Sequence, residues 1–201
     1  MAIAPSFCGV VLAAGESAGM ERDKALLTYR GRTFLAGAIE TLRPHTDMVL
    51  VVVGRNRDAL SPIVYAAGAF LVENPEPERG QFSSLQAGMR EVLNRGRDAA
   101  IVMLVDRPPV AEATVGQLRH AFVAAAQRGR WAVVPEYRDQ HGHPLIVGRE
   151  MIEAFLRAPV TSNARAVEHS LPERIEYVKV EDPMVGFNVE SPEDHQRLAA
   201  S

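Results

Sequence analysis

The apolar residues of this chain fall into short continuous runs separated by longer stretches with helical spacing. Continuous runs, which predict strands buried on both faces, occupy residues 7–13, 48–53, 69–72, 99–105 and 131–135. Between the first two runs, apolar residues recur every three or four positions, at Phe34, Leu35, Ala38, Ile39 and Leu42. Because predicted strands and helices alternate, the pattern favours an α/β fold around a mostly parallel sheet.

The other predicted elements complete this alternation and then depart from it. Further helices are expected at residues 58–67, interrupted at Pro62, from Ser83 or Ser84 onward, and around residues 115–125. After residue 135, a polar turn at 136–144 leads to a strand at 145–147, which indicates a hairpin and a small antiparallel part. Short helices at 151–156 and 164–169, a strand at 174–180 and a last helix capped by Ser191 follow. No linker or repeat interrupts the chain, so residues 1–201 are expected to form one domain.

Composition limits the classes of partner. The chain has 201 residues, 47% of them hydrophobic, and a formal net charge of −3, which argues against broad binding to nucleic acid or acidic membranes. Cys8 is the only cysteine, so an internal disulfide and a cysteine zinc cluster are excluded. No secretory leader or membrane span is apparent. We therefore expect a cytoplasmic protein that acts on small molecules, with no nucleic acid or membrane partner.

The stretch VVLAAGESAGMERDKALL at residues 10–27 is the clearest candidate for a binding loop. An apolar strand leads directly into Ala13, Ala14 and Gly15, whose small side chains would let a ligand reach backbone N–H groups. Lys24 would add a positive charge for phosphate, although a lone lysine is usually a solvated surface residue. The spacings G-x-x-x-x-G-K-[ST] and G-x-G-x-x-G are both absent. The loop thus predicts a phosphate site unlike those of P-loop enzymes or dinucleotide-binding dehydrogenases.

Two other positions have chemistry that can be interpreted in more than one way. Asp106 follows the most hydrophobic predicted strand, where it could hold Mg²⁺ against phosphates or act as a helix cap or turn residue. His141 and His143 in HGHP could bind a metal, but zinc sites need a third and usually a fourth ligand, so a turn or substrate loop is favoured. There is no G-x-S-x-G motif to support a serine hydrolase.

Five stretches in the same order resemble the MobA-like nucleotidyltransferases, which include the molybdenum cofactor cytidylyltransferases and guanylyltransferases. LAAGESAGMERDKALL resembles the family loop L-A-A-G-x-S-x-R-M-G-x-x-K-x-L-L, except that Gly19 replaces the arginine and Glu21 the second glycine. Arg22 could compensate for the missing cation. NPEPERGQFSSLQAG, LVDRPPV, the G-H-P at residues 142–144 and GFNVESPED are similar to the other four stretches, with Glu190 departing from the usual residue.

The resemblance implies a three-layer αβα sandwich with a Rossmann-like sheet, of the nucleotide-diphospho-sugar transferase type, and a function in nucleotidyl transfer. Lys24 and Asp106 would be catalytic, and Asp106 and Asn188 would hold Mg²⁺. Gly142 and His143 would lie on the acceptor side. The implied nucleotide-binding residues are Leu12, Ala13, Ala14, Gly15, Glu16, Ser17, Lys24, Gly80 and Ser84, with Ser83 less certain because either serine could simply cap a helix.

The implied reaction is transfer of a nucleotidyl group to a phosphorylated acceptor with release of pyrophosphate. Ala14 in LAAG favours CTP, because the guanylyltransferases tend to carry LAGG. The acceptor would be molybdopterin, with a molybdoenzyme or a cofactor chaperone as a further partner. The alternatives are a transferase for a sugar phosphate or another small phosphate, a non-catalytic nucleotide- or cofactor-binding homologue, and a scaffold without a nucleotide.

Overall fold

The computed structural model describes residues 5–15 and 22–199 as alternating strands and helices. The strands are Phe7–Leu12 (β1), Thr28–Tyr29 (β2), Arg32–Thr33 (β3), Met48–Val53 (β4), Phe70–Glu73 (β5), Ala99–Leu104 (β6), Ala132–Tyr137 (β7), Gln140–His141 (β8), Leu145–Gly148 (β9) and Ile175–Lys179 (β10). The helices are Phe34–Leu42 (α1), Arg57–Ala66 (α2), Gln81–Asn94 (α3), Glu112–Ala126 (α4), Arg149–Arg157 (α5), Ala164–His169 (α6) and Pro192–Ala199 (α7).

The main sheet has the strand order β10-β7-β9-β6-β1-β4-β5, with β8 paired to β7. Strands β1, β4, β5 and β6 are parallel to one another, and β10 is parallel to β7. Strand β9 runs antiparallel between β6 and β7, and β8 is antiparallel to β7. The predicted mostly parallel sheet with a small antiparallel part is therefore confirmed.

Two apolar layers cover the faces of this sheet. Successive residues of β1 point to opposite faces, so Phe7 and Val11 belong to one core cluster and Cys8 and Val10 to the other. The first cluster contains the apolar faces of α1, α2 and α4, and the second contains those of α3 and α5. All six residues of β1 are buried, as expected for a central strand covered on both sides. The three-layer αβα arrangement is thus confirmed.

The strand directions bring several loops to one edge of the sheet. The segments that follow β1, β4 and β6 lie at the carboxyl ends of parallel strands. Because β9 runs in the opposite direction, the segment that precedes it, including His143, reaches the same edge. The last helix is attached there as well, since the backbone N–H of Val189 donates to the Asp106 carbonyl at 3.0 Å.

Two predicted helices differ in detail from the structure. Pro62 does not interrupt α2, which runs continuously through it, because proline removes one hydrogen bond without necessarily ending a helix supported by packing of Leu60 and Val64. Helix α3 begins at Gln81 with Gly80 as its N-cap, so Ser83 and Ser84 lie within its first turn. Among the described residues, no helix combines the length and apolar character that a membrane crossing requires.

Candidate functional site

Two adjoining cavities open at the carboxyl edge of the sheet. The smaller, about 280 Å³, is called here the loop cavity and the larger, about 530 Å³, the broad cavity. Leu12, Gly80 and Gln81 line both, so the two cavities are direct neighbours. The predicted residues Leu12, Ala14, Gly15, Lys24, Gly80, Ser84 and Asp106 line the loop cavity, and Gly142 and His143 line the broad cavity.

The residues predicted to bind nucleotide just after β1 lie partly in the cavity lining and partly in the core. Ala14 and Gly15 line the loop cavity, whereas Ala13 is buried in the core, with its N–H donating to the Val52 carbonyl at 2.8 Å. Ala13, which the resemblance placed among the nucleotide-binding residues, therefore does not line the loop cavity. The predicted residues Glu16 and Ser17, like Gly19 and Glu21, lie outside the described residues.

Asn56 holds the two ends of the binding loop together, a role that sequence reasoning missed. Its side-chain Nδ2 donates to the Ala13 carbonyl at 2.7 Å and to the Asp23 carboxylate at 2.6 Å, while its Oδ1 accepts from the Gly54 N–H at 3.1 Å. The other Asp23 oxygen accepts from the Ala25 N–H at the start of the turn that carries Lys24. The position of Lys24 is thus set by β1, β4 and this asparagine together.

The amino end of α3 forms the wall between the two cavities. Gly80 has φ of +93°, which favours glycine, and the helix start lacks a side-chain cap. Uncapped N–H groups and the positive end of the helix dipole suit an anionic ligand. Asn74 is buried and donates to the hydroxyls of Ser83 and Ser84 at 2.8 and 3.0 Å. These serines are therefore tied to the preceding strand rather than serving as caps.

Asp106 and Asn188 present two buried oxygen atoms at the same edge. Asp106 Oδ1 and Asn188 Oδ1 are buried and have no hydrogen-bond partner. The Asn188 Nδ2 donates to Glu190 at 2.6 Å, which fixes the orientation of the amide. The contact between Val189 and the Asp106 carbonyl keeps the two residues next to each other. Two oxygens of this kind fit a hard divalent cation that completes its shell with water or phosphate.

The charges of the loop cavity support the same conclusion. Its described lining contains Lys24 together with Asp23, Glu78 and Asp106, so acids outnumber cations. A triphosphate would meet repulsion there unless a cation accompanied it. Among the described residues, no group of three or more His, Cys, Asp and Glu side chains is arranged to hold a metal. The donor set therefore fits a phosphate-bridged ion rather than a site closed by the protein alone.

Gly142 and His143 are fixed against the backbone of Val185. A Cβ atom on Gly142 would lie 1.9 Å from the Val185 carbonyl oxygen, so only glycine fits. That oxygen accepts from the His143 N–H at 3.1 Å and from Arg107 Nη1 at 3.3 Å. Burial, with a smaller contribution from Arg107, lowers the pKa of His143 to about 3. His143 is therefore a neutral imidazole in the wall of the broad cavity.

The outer part of the broad cavity contains residues that sequence reasoning missed. Glu168 on α6 is half-buried, and desolvation raises its pKa to about 7 despite the nearby Arg165. The rings of His141 and Tyr177 stack with centroids 4.1 Å apart at an angle of 15°. Arg79 and Arg107 line the cavity nearer the shared wall of Leu12 and Gly80, while Arg22 lines neither cavity. Local sequence had no signal for this cluster, because its members come from distant segments.

Comparison with known proteins identifies the family. Residues 9–175 match the MobA-like NTP transferase domain. The chain belongs to this family. Among curated relatives, a nicotine blue oxidoreductase of Paenarthrobacter nicotinovorans is 31% identical over 96% of this chain and 97% of its own length. A molybdenum cofactor guanylyltransferase of Rhizobium meliloti (strain 1021) is 26% identical over 95% of this chain and 89% of its own.

A solved structure has the same fold as this chain. Rv0371c of Mycobacterium tuberculosis H37Rv superposes with a TM-score of 0.82 at 28% identity and covers 100% of both chains. Its manganese complex superposes with a TM-score of 0.77 at 26% identity, over 98% of this chain and 99% of that one. The expectation of a MobA-like nucleotidyltransferase is confirmed by the family match over residues 9–175. The expected CTP preference gains no support, because the molybdenum cofactor relatives are named as guanylyltransferases.

Proposed function

We propose that this MobA-like protein transfers a nucleotidyl group from a nucleoside triphosphate to a phosphorylated acceptor and releases pyrophosphate. The observation that carries the proposal is the junction of two cavities at the carboxyl edge, with the unpartnered oxygens of Asp106 and Asn188 beside it. A transfer between two bound substrates needs such adjoining sites, because most of the rate enhancement comes from positioning the reactants.

The loop cavity would hold the triphosphate. The backbone N–H groups after β1, the uncapped start of α3 and the Lys24 ammonium would bind its oxygens. Negative charge develops on the phosphoryl oxygens and on the leaving pyrophosphate during transfer. Donors that are already oriented stabilise that charge without reorganising during the reaction. Asn56 contributes indirectly by holding the loop ends in place.

Asp106 and Asn188 would hold the divalent ion, for which we propose Mg²⁺. When bound, such an ion neutralises phosphate charge and orients the phosphates for in-line attack. The manganese complex of the related mycobacterial protein supports a divalent ion in this fold. Within this chain, the hydrogen bond from Asn188 Nδ2 to Glu190 leaves the Asn188 amide oxygen on the side away from the Glu190 carboxylate.

The broad cavity would hold the acceptor, with its phosphate directed toward the loop cavity. Arg107 follows Asp106 directly, and its Nε is buried without a hydrogen-bond partner. Together with Arg79 it could bind the attacking phosphate. A cavity of about 530 Å³ has room for more than a phosphate group. Molybdopterin is the acceptor we propose, as the names of the guanylyltransferase relatives suggest, and a molybdoenzyme or cofactor chaperone would receive the product.

Two observations about the base of the nucleotide point in different directions. Ala14 favours CTP through the LAAG sequence, whereas several curated relatives are guanylyltransferases. We give GTP priority in testing because these relatives are named as guanylyltransferases. CTP is the necessary comparison.

A second candidate function follows from the nicotine blue oxidoreductase relative, which matches almost the whole chain. In that case the broad cavity would take a flat aromatic substrate beside the stacked rings of His141 and Tyr177. Such an oxidoreductase would consume an external reductant, for which a reduced nicotinamide nucleotide is the probe, and would release no pyrophosphate. The two candidates therefore differ in their products.

One experiment separates the candidates. The purified protein is incubated with GTP, CTP, ATP or UTP and either Mg²⁺ or Mn²⁺, and its melting temperature is measured. Pyrophosphate release is then measured with molybdopterin present, and oxidation of a reduced nicotinamide nucleotide is followed in parallel. Pyrophosphate release dependent on both nucleotide and acceptor is the expected result. If no nucleotide raises the melting temperature, the transferase proposal fails, and a shift without release in the presence of acceptor indicates a binding-only homologue.

A further inference from the structure

Buried polar atoms without hydrogen-bond partners form two separate groups in the described residues. Buried groups of this kind are rare in proteins and often mark functional positions. Four of the seven atoms lie around the two cavities at the carboxyl edge, on Asp106, Arg107, His143 and Asn188. The other three are His45 Nε2, Arg97 Nε and Arg119 Nε. Buried polar atoms without hydrogen-bond partners therefore occur at a second place in the fold, apart from the proposed active site.

The three residues that carry these nitrogens, His45, Arg97 and Arg119, line one cavity of about 360 Å³ at the opposite, amino edge of the sheet. His45 lies in the turn after α1, and Arg97 lies in the connection before β6. Arg119 extends from α4 and places its guanidinium 4.7 Å above the centre of the Phe7 ring. We call this the amino-edge cavity. His45, Arg97 and Arg119 thus come from three different segments of the fold.

The packing around these groups leaves their buried nitrogens without a hydrogen-bond partner. Gly116 makes room for the imidazole, since a Cβ atom there would lie 3.1 Å from His45 Cε1. Two acids lie near, but neither forms a hydrogen bond with them. Asp47 is 3.7 Å from Arg97 Nη1, and the exposed Glu112 is 3.8 Å from His45 Nε2. The buried Nε atoms of both arginines thus have donors to offer and no acceptor.

We propose that the amino-edge cavity binds a small tetrahedral oxyanion of the phosphate or sulfate type. Guanidinium groups bind such oxygens with strong, charge-assisted hydrogen bonds. A tetrahedral anion has oxygens on several sides, so it can accept from Arg97, Arg119 and His45 together. Asp47 would compete with the anion for Arg97. The site lies at the sheet edge opposite the proposed nucleotide cavity, so it stands independently of the proposed function.

The test is a titration of the isotope-labelled protein with inorganic phosphate, followed by ¹H–¹⁵N NMR at constant ionic strength without divalent metal. Amide signals of Thr46, Asp47 and Arg97 report on the amino-edge cavity, whereas those of Gly15 and Gly80 report on the loop cavity. Saturable shifts in the first set are expected. If those signals do not respond while the loop signals do, phosphate binds only at the proposed active site and the inference is overturned.

Variants with opposite expected effects strengthen the test. Arg97→Gln and Arg119→Lys each remove a guanidinium and should weaken phosphate binding about tenfold or more. Asp47→Asn removes the competing carboxylate and should strengthen it. Arg90→Gln, on the exposed surface of α3, is the control with the same change in net charge as Arg97→Gln. Equal weakening in Arg90→Gln and Arg97→Gln would show only general charge attraction and would overturn the proposed site, and no gain in Asp47→Asn would overturn the competition between Asp47 and the anion.

Discussion

The buried imidazole of His143 should make the stability of the protein depend on pH in a predictable direction. The ordinary pKa of histidine is 6.5, and burial lowers that of His143 to about 3. Between these values the unfolded chain binds a proton that the folded protein does not. Stability contributed by neutral His143 is therefore present above pH 6.5 and is lost as the pH falls. Each pH unit costs about 1.4 kcal/mol, so at about pH 5 the loss is at most about 2 kcal/mol.

The assay is urea unfolding of the wild type and of His143→Gln, a variant that does not titrate, at about pH 7.5 and about pH 5. Glu168 acts in the opposite direction, because burial raises its pKa to about 7 and the folded protein holds the extra proton. That contribution is common to both proteins and cancels in the comparison. The wild type should lose more stability than His143→Gln on acidification, while His120→Gln, at an exposed position, should behave like the wild type. Equal losses in wild type and His143→Gln would refute the reasoning.

Three further changes test other parts of the site. Asp106→Asn should reduce pyrophosphate release on the order of a hundredfold or more with little change in melting temperature; full activity would remove Asp106 from the proposed metal site. Gly142→Ala would force a Cβ atom against the Val185 carbonyl and should cost about 2 to 3 kcal/mol in urea unfolding, and unchanged stability would show that this contact yields. Glu168→Gln should remove a change in acceptor KM near pH 7, while the affinity for nucleotide stays the same; an unaltered KM profile would place Glu168 outside acceptor binding.

Much of the fold was predictable because its signals are local. Continuous apolar runs predict central strands, and the last helix follows from residues close in sequence. Ser191 and Asp194 form the predicted reciprocal cap, with Ser191 N–H donating to Asp194 Oδ2 at 2.9 Å and Asp194 N–H donating to Ser191 Oγ at 3.2 Å. Such interactions join residues only three positions apart, so the local sequence is enough to predict them.

Other parts of the site depend on contacts that no local pattern reports. Asn56 bonds to Ala13, 43 positions earlier, and to Asp23, 33 positions earlier. Glu168 gains its raised pKa only because α6 packs beside the broad cavity. The continuity of α2 through Pro62 is likewise decided by tertiary packing, which outweighs the local preference. Residues whose roles arise from distant segments therefore had to be found in the structure.

The three hydrogen bonds of Asn56 have a consequence for the exchange of loop sequences in this protein. Asn56 lies outside the loop and joins the end of β1 to the turn that carries Lys24. Its hydrogen bonds therefore offset part of the entropic cost of closing the loop. Ala13 and Asp23 therefore keep their separation through contacts made outside residues 16–21, the stretch that includes Gly19 and Glu21. We expect that residues 16–21 can be replaced by those of another family member while Asn56 keeps Ala13 and Asp23 in place.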